Sequence, residues 1–225
     1  MLIAASRRLV TTLTFALVVA GCDMSLGHLA GRATDEWTHH YPLAAGGEVR
    51  VVNTNGRIEV EPGEDGQVEI RAERIARAAT DAGARELLPR IAIKEDVTPD
   101  RVSIETVRMS GIMIGAAFEV RYHVRAPRNA AIDMTNTNGQ IALNGLAGRI
   151  AARTTNGGIN VAPDLKVDVT DRSRRRFEGR MNGGGTPVEL QTTNGGIRLR
   201  PRAAAEAEEE VEDSKATVKR LKNRN

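Results

Sequence analysis

Five carboxylates, Asp133, Asp164, Asp168, Asp171 and Glu189, together with His123, are the residues of this sequence whose types could support bond-breaking chemistry. Clustered acids that hold Ca²⁺ beside a positioned base would suit a polysaccharide-cleaving enzyme. Their spacing argues against it: the five positions do not recur with the repeat described below, so nothing in the sequence brings them to one place. His123 lies in the alternating stretch "FEVRYHVRAP" and reads as a surface or core histidine. His39 and His40 are adjacent, so in an extended segment they point to opposite sides and do not share one metal ion. No nucleophile elbow, phosphate loop, zinc-ligand spacing or paired-acid motif occurs. The expectation is a non-enzyme with no cofactor and no metal.

Two other groups invite chemistry. The segment "RSRRRFEGR" holds Arg172, Arg174, Arg175, Arg176 and Arg180, which could meet lipid headgroups, peptidoglycan carboxylates or lipopolysaccharide phosphates, or equally form a solvated loop. Cys22 is the only cysteine in 225 residues. It follows two arginines and an apolar run from Leu9 to Ala20 that is too short for a bilayer-spanning helix and suits a signal-peptide core. The ending "VAGC" resembles the bacterial lipobox, and that resemblance implies cleavage between Gly21 and Cys22, with diacylglycerol carried on the thiol. Such acyl chains contribute about 0.8 kcal/mol per buried methylene, so two or three hold a protein firmly.

Composition narrows the function further. Arg7 and Arg8 account for two of the three net positive charges and lie in the expected leader, so the mature chain is close to neutral. That leaves no global electrostatic case for nucleic acid. With one Trp, two Tyr and three Phe, the chain is poor in stacking platforms, and its core must be Val, Ile, Leu and Ala.

These residues are carried by a repeat. "VVNTNGRIEV", "MTNTNGQIAL", "RTTNGGINV" and "QTTNGGIRL" align on Asn55-Gly56, Asn138-Gly139, Asn156-Gly157 and Asn194-Gly195. Asn-Gly between alternating residues signals a tight corner between strands. Alternation places Val49, Val51 and Asn53 on one side before the first corner and Ile58 and Val60 on one side after it, and the other copies follow suit. The second and third copies lie 18 residues apart and the third and fourth 38, close to two steps of 19. A step of that size predicts one coil of a β-solenoid, with aliphatic columns and hydrogen-bonded Asn/Thr ladders. The missing coil would fall near "DVTDRSRRRFEGRMNGGG".

Between the first copy and the others, "QVEIRAERIAR", "RIAIKEDV", "RVSIETVRM" and "FEVRYHVRAP" alternate as strands, and "TDAGARELLPRI" predicts a short helix capped at Thr80 or Asp81 and ended by Pro89. "SGIMIGAA" reads as an apolar, glycine-flanked loop. The tail "AAAEAEEEVEDSKATVKRLKNRN" is acidic first and basic last, which suits either a helix or a disordered end. The expected organisation is a leader over residues 1–21, a lipidated tether over 22–46, with Trp37, Tyr41 and Leu43 near its end, an all-β single-domain solenoid over 47–201 with one short helix, and a charged tail over 202–225.

The corners, "YPLAAGGEVRVVNTNGRIEV", "ELLPRIAI", "VRYHVRAPRNAAIDMTNTNG" and the lipobox together resemble the bacterial putative-adhesin family of unknown function. The similarity covers Trp37 to Arg200 and implies an extracytoplasmic or lipid-anchored β-solenoid, with no catalytic residues to carry over. The expectation is a membrane-tethered, non-catalytic binding or scaffold module whose partner is an envelope protein or a surface glycan. The alternative is a regulatory lipoprotein signalling through a membrane protein, and a polysaccharide-acting enzyme comes last.

Overall fold

Glycine dictates the geometry of the corners. In the computed structural model, which describes residues 29–107, 115–162, 167–181 and 185–200, with only the backbone over 167–172 and at 181, each Asn-Gly pair turns the chain from one sheet into the other. The leader, Cys22, the tail, Asp164 and most of the "SGIMIGAA" segment lie outside the described residues.

The chain is all-β with one short helix. In order it forms β1 (Gly31–Pro42), β2 (Glu48–Asn55), β3 (Ile58–Pro62), β4 (Gln67–Ala78), α1 (Asp81–Leu87), β5 (Ile93–Thr98), β6 (Arg101–Thr106) and β7 (Ala116–Ala126). β8 (Ala131–Asn138), β9 (Ile141–Asn144), β10 (Ile150–Asn156), β11 (Ile159–Ala162), β12 (Val167–Arg172), β13 (Arg176–Met181), β14 (Pro187–Asn194) and β15 (Ile197–Leu199) follow. One sheet runs β1-β4-β7-β3-β9-β11-β15 and the other β12-β13-β14-β10-β8-β2-β6-β5.

The repeat explains this order. Strands before the corners (β2, β8, β10, β14) pair in parallel in one sheet, and strands after them (β3, β9, β11, β15) pair in parallel in the other. Each corner thus joins two facing strands, and the copies stack as tiers in register. β6 and β7 make a fifth tier, parallel to β2 and β3, although no Asn-Gly joins them.

Register turns alternation into columns. Val102, Val49, Ile132, Ile150 and Val188 stand in line across one sheet, with Ile104, Val51, Met134, Ala152 and Leu190 beside them. Tyr122, Ile58, Ile141, Ile159 and Ile197 face them from the other sheet. Apart from Ile197, which is only partly buried, these residues are 0–2% exposed. Each fully buried aliphatic side chain contributes roughly 1.5–3 kcal/mol, so the columns are the main cohesive force.

Three expectations are revised. The 38-residue gap contains no missing tier: β14 pairs directly with β10, and the intervening residues form the antiparallel hairpin β12–β13, which lies alongside β14. Ser173 closes its turn, its hydroxyl accepting from Arg176 N at 3.0 Å. Phe177 from this hairpin is 2% exposed and meets Leu190, plugging the core at that end.

The tether gives way to structure well before residue 46. Gly31–Pro42 is an edge strand along the whole of β4, held by Arg74, whose Nε donates to Asp35 Oδ1 at 2.8 Å. Trp37 and His39 stack with centroids 4.3 Å apart, on the same side of β1 as Tyr41, whose hydroxyl donates to Glu95 at 2.7 Å. Burial first, and then that bond, pushes the Tyr41 phenol above its usual range.

Pro89, finally, does not stop helical structure. α1 is capped by Thr80, whose Oγ1 accepts from Gly83 N at 3.1 Å, and a 3-10 turn over Leu88–Arg90 carries Pro89 inside it. Leu87 and Ile91 from this connection enter the core.

Candidate functional site

The corners are built by close approach. A Cβ at Gly139 would lie 2.1 Å from Gly56 O, one at Gly157 2.0 Å from Gly139 O, and one at Gly195 1.8 Å from Gly157 O. Only glycine lets successive corners nest. Positive φ adds to the requirement at Gly56 (121°) and Gly139 (138°). Nesting brings Gly56 N to Asn138 O at 2.9 Å, Gly139 N to Asn156 O at 2.8 Å and Gly157 N to Asn194 O at 3.0 Å.

Two ladders follow from this stacking. Inside, Asn136 Nδ2 donates to Gly56 O at 2.6 Å, Thr154 Oγ1 to Gly139 O at 3.1 Å and Thr192 Oγ1 to Gly157 O at 2.8 Å, satisfying corner carbonyls that the turn leaves unpaired. At the first corner Asn53 plays this part toward Val120 O at 2.8 Å. Its Oδ1 accepts from Thr106 at 2.9 Å, and Thr106 Oγ1 lies 2.7 Å from the Tyr122 hydroxyl. Burial pushes the Tyr122 phenol up to about 12. Outside, the corner asparagines bind each other: Asn138 Nδ2 donates to Asn55 Oδ1 at 2.8 Å, Asn156 to Asn138 at 2.7 Å and Asn194 to Asn156 at 2.8 Å. This outer ladder is a straight row of amides repeating every ~4.8 Å, the strand spacing.

Two hollows flank the ladder's start. A cleft of about 430 Å³ lies beside Asn55 and Asn138, between the first corners and the ends of β4 and β7. A broader depression of about 820 Å³ lies on the outer face of β1, β4, β7 and β3. There Arg71 meets Glu36 at 3.0 Å, Arg121 meets Glu119 at 2.6 Å and Arg57 meets Glu59 at 3.1 Å, so its charges are spent on each other. Exposed pairs of this kind are worth little in stability.

Among the described side chains, the carboxylates singled out by type are not gathered into a reacting group. Asp133 and Glu189 both stand near Arg153, at 3.9 and 3.5 Å, on the outer face of the second sheet, two strands apart in the same row. His123 is on the opposite sheet, 3.7 Å from Glu61, and Asp168 and Asp171 are placed on β12 by their backbone. His39 approaches Glu95 at 3.4 Å, while His40, exposed, lies on the other side of β1.

The arginine segment is the β12–β13 hairpin. Arg174 and Arg175 are exposed at its turn, Arg176 Nε donates to Glu178 at 2.7 Å, and Arg180 donates to Gly185 O at 3.3 Å, with Arg172 at the end of β12. Sequence reasoning missed the cleft residues Ile75, Arg77, Ala117, Phe118 and Gln140. No local motif marks them, and only the stacking of tiers brings them together.

No family model matches the sequence, and no curated protein matches it. Among solved structures, the chain is similar to a "putative cell adhesion protein" from Clostridium sporogenes at 8% identity and a TM-score of 0.42, over 75% of this chain and 100% of that one. A "putative adhesin" from Bacteroides fragilis aligns at 12% identity and a TM-score of 0.23, over 57% of this chain and 58% of the other. Another from Parabacteroides distasonis aligns at 10% identity and a TM-score of 0.23, over 58% and 59%.

Proposed function

We propose that the chain is an adhesin-like, non-catalytic binding module: a short β-solenoid, its tiers the successive coils, tethered through a lipid on Cys22 to the extracytoplasmic face of a membrane. The observation that carries this reading is the outer asparagine ladder, a rigid, exposed row of identical amides. Each inner amide of the row spends one N–H and one lone pair on its neighbours and keeps the others for a partner. Among the described residues, the candidate carboxylates Asp133 and Glu189 are set beside Arg153 rather than in the convergent acid–base pair that turnover would need. The Arg174–Arg175 turn extends the same module with a cationic tip for an anionic envelope surface.

Binding of the purified full-length chain to isolated cell envelopes tests the module. The reading expects saturable binding that weakens when Arg174 and Arg175 are replaced by alanine and the salt is moderate. Absence of saturable binding removes it. The anchor is tested separately: Cys22→Ala is expected to leave the membrane fraction, and its retention there refutes lipid tethering.

A further inference from the structure

We propose that the cleft at the start of the asparagine ladder is a saccharide site that takes a carboxylate-bearing sugar residue of an extended glycan. This rests on the binding-module reading and names its ligand class. The cleft exists because β4 and β7 overhang the tiers. β3 begins at Ile58, opposite Tyr122, whereas β7 begins at Ala116, paired with Ala78 of β4. The step between the overhang and the first corners encloses about 430 Å³, within the roughly 300–1,000 Å³ of small-ligand sites.

Its lining combines three chemistries. The half-buried Ala117 and Phe118, on the two faces of the overhanging end of β7, supply apolar surface suited to the carbon face of a sugar ring. Asn138 has given one N–H to Asn55 and accepted one from Asn156, which leaves it one N–H and a lone pair, the complement of a hydroxyl. Gln140 adds a second amide that makes no side-chain hydrogen bond among the described residues.

Charge selects the acid. Of the charged residues lining the cleft, Arg57 pairs with Glu59 at 3.1 Å, and the one carboxylate, Glu119, is held by Arg121 at 2.6 Å. Arg77, exposed on the rim, has no carboxylate partner among the described residues. Its planar fork matches a carboxylate through two parallel hydrogen bonds. A small free anion would need the guanidinium but neither the apolar surface nor the amides. From the cleft the ladder leads away through Asn156 and Asn194, offering the same amide to successive units of a polymer.

The test is calorimetric titration of the full-length chain with a mannuronate hexamer, with cellohexaose and sodium acetate as comparisons. The acidic oligomer is expected to bind at least tenfold more tightly than either. Arg77→Ala and Gln140→Ala, both at exposed or half-exposed side chains, are each expected to weaken it severalfold to tenfold with unchanged thermal unfolding. Arg90→Ala, exposed on the 3-10 turn, is expected to leave binding unchanged. Equal affinity for cellohexaose or acetate, or equal weakening by Arg77→Ala and Arg90→Ala, overturns the site. If the hexamer fails to bind while isolated envelopes still do, the sugar-acid assignment falls and the binding-module reading stands; if both fail, both fall.

Discussion

Substituting Gly157 by alanine is the sharpest probe of the nested corners. The new Cβ would lie 2.0 Å from Gly139 O and 2.6 Å from its carbonyl carbon. Backbone must therefore move, and that backbone is pinned: Gly139 N donates to Asn156 O at 2.8 Å, Gly157 N to Asn194 O at 3.0 Å, and Thr192 Oγ1 to Gly157 O at 2.8 Å. Overpacking costs roughly 1–3 kcal/mol. Loosening two of these bonds adds about 1 kcal/mol each, for roughly 3–5 kcal/mol in all. At about 2–4 °C per kcal/mol for a chain of this size, the midpoint should fall by roughly 6–20 °C. The neighbouring Gly158 supplies the control, because a Cβ there meets only Gly196 O at 3.4 Å, an ordinary contact, so Gly158→Ala should stay within about 1 kcal/mol of wild type. Urea unfolding followed by circular dichroism measures both. If Gly157→Ala costs less than about 1 kcal/mol, or no more than Gly158→Ala, close nesting is not what requires glycine at the corners.

Alkaline pH should loosen the core. The Tyr122 phenol titrates near 12 in the folded chain and near 10 when unfolded, so both states hold its proton below pH 10 and only the folded state holds it between pH 10 and 12. Stability is then lost as pH rises through that window, on the order of 3 kcal/mol for two pKa units, with Tyr41 acting in the same direction. Tyr122→Phe should flatten much of this loss; an unchanged profile between pH 9 and 12 would refute the assignment. Phe177→Ala should open the core where the β12–β13 hairpin plugs it and lower stability by about 3–5 kcal/mol in the same urea assay, whereas a change under 1 kcal/mol would mean that the plug is not needed.

Much of this was written locally. Asn-Gly fixes each corner, and strict alternation around it fixes which residues enter the columns. What the sequence hides is long-range. The tier formed by β6 and β7 has the same alternation as the others, Val102 and Ile104 facing Val120, Tyr122 and Val124, but no corner signature joins its halves. The hairpin β12–β13 mimics a lost repeat because it stretches the spacing between the third and fourth corners to 38 residues, close to two steps. β1 looked like a tether because an edge strand needs few apolar residues: Trp37 and Tyr41 suffice when Asp35 is held by Arg74. The cleft depends on how far β4 and β7 overshoot the corners, a property of register that no single segment encodes.

Nested corners also change how such a chain can evolve. The tier made by β10 and β11 touches its neighbours through repeated contacts of one kind: an aliphatic column, an amide, a glycine under a carbonyl. Duplicating the 18 residues between the second and third corners would present each side of the insertion with the surface it already meets. Length along the stack is therefore heritable in whole steps of about 4.8 Å, with the overhang at one end and the Phe177 plug at the other carried along unaltered.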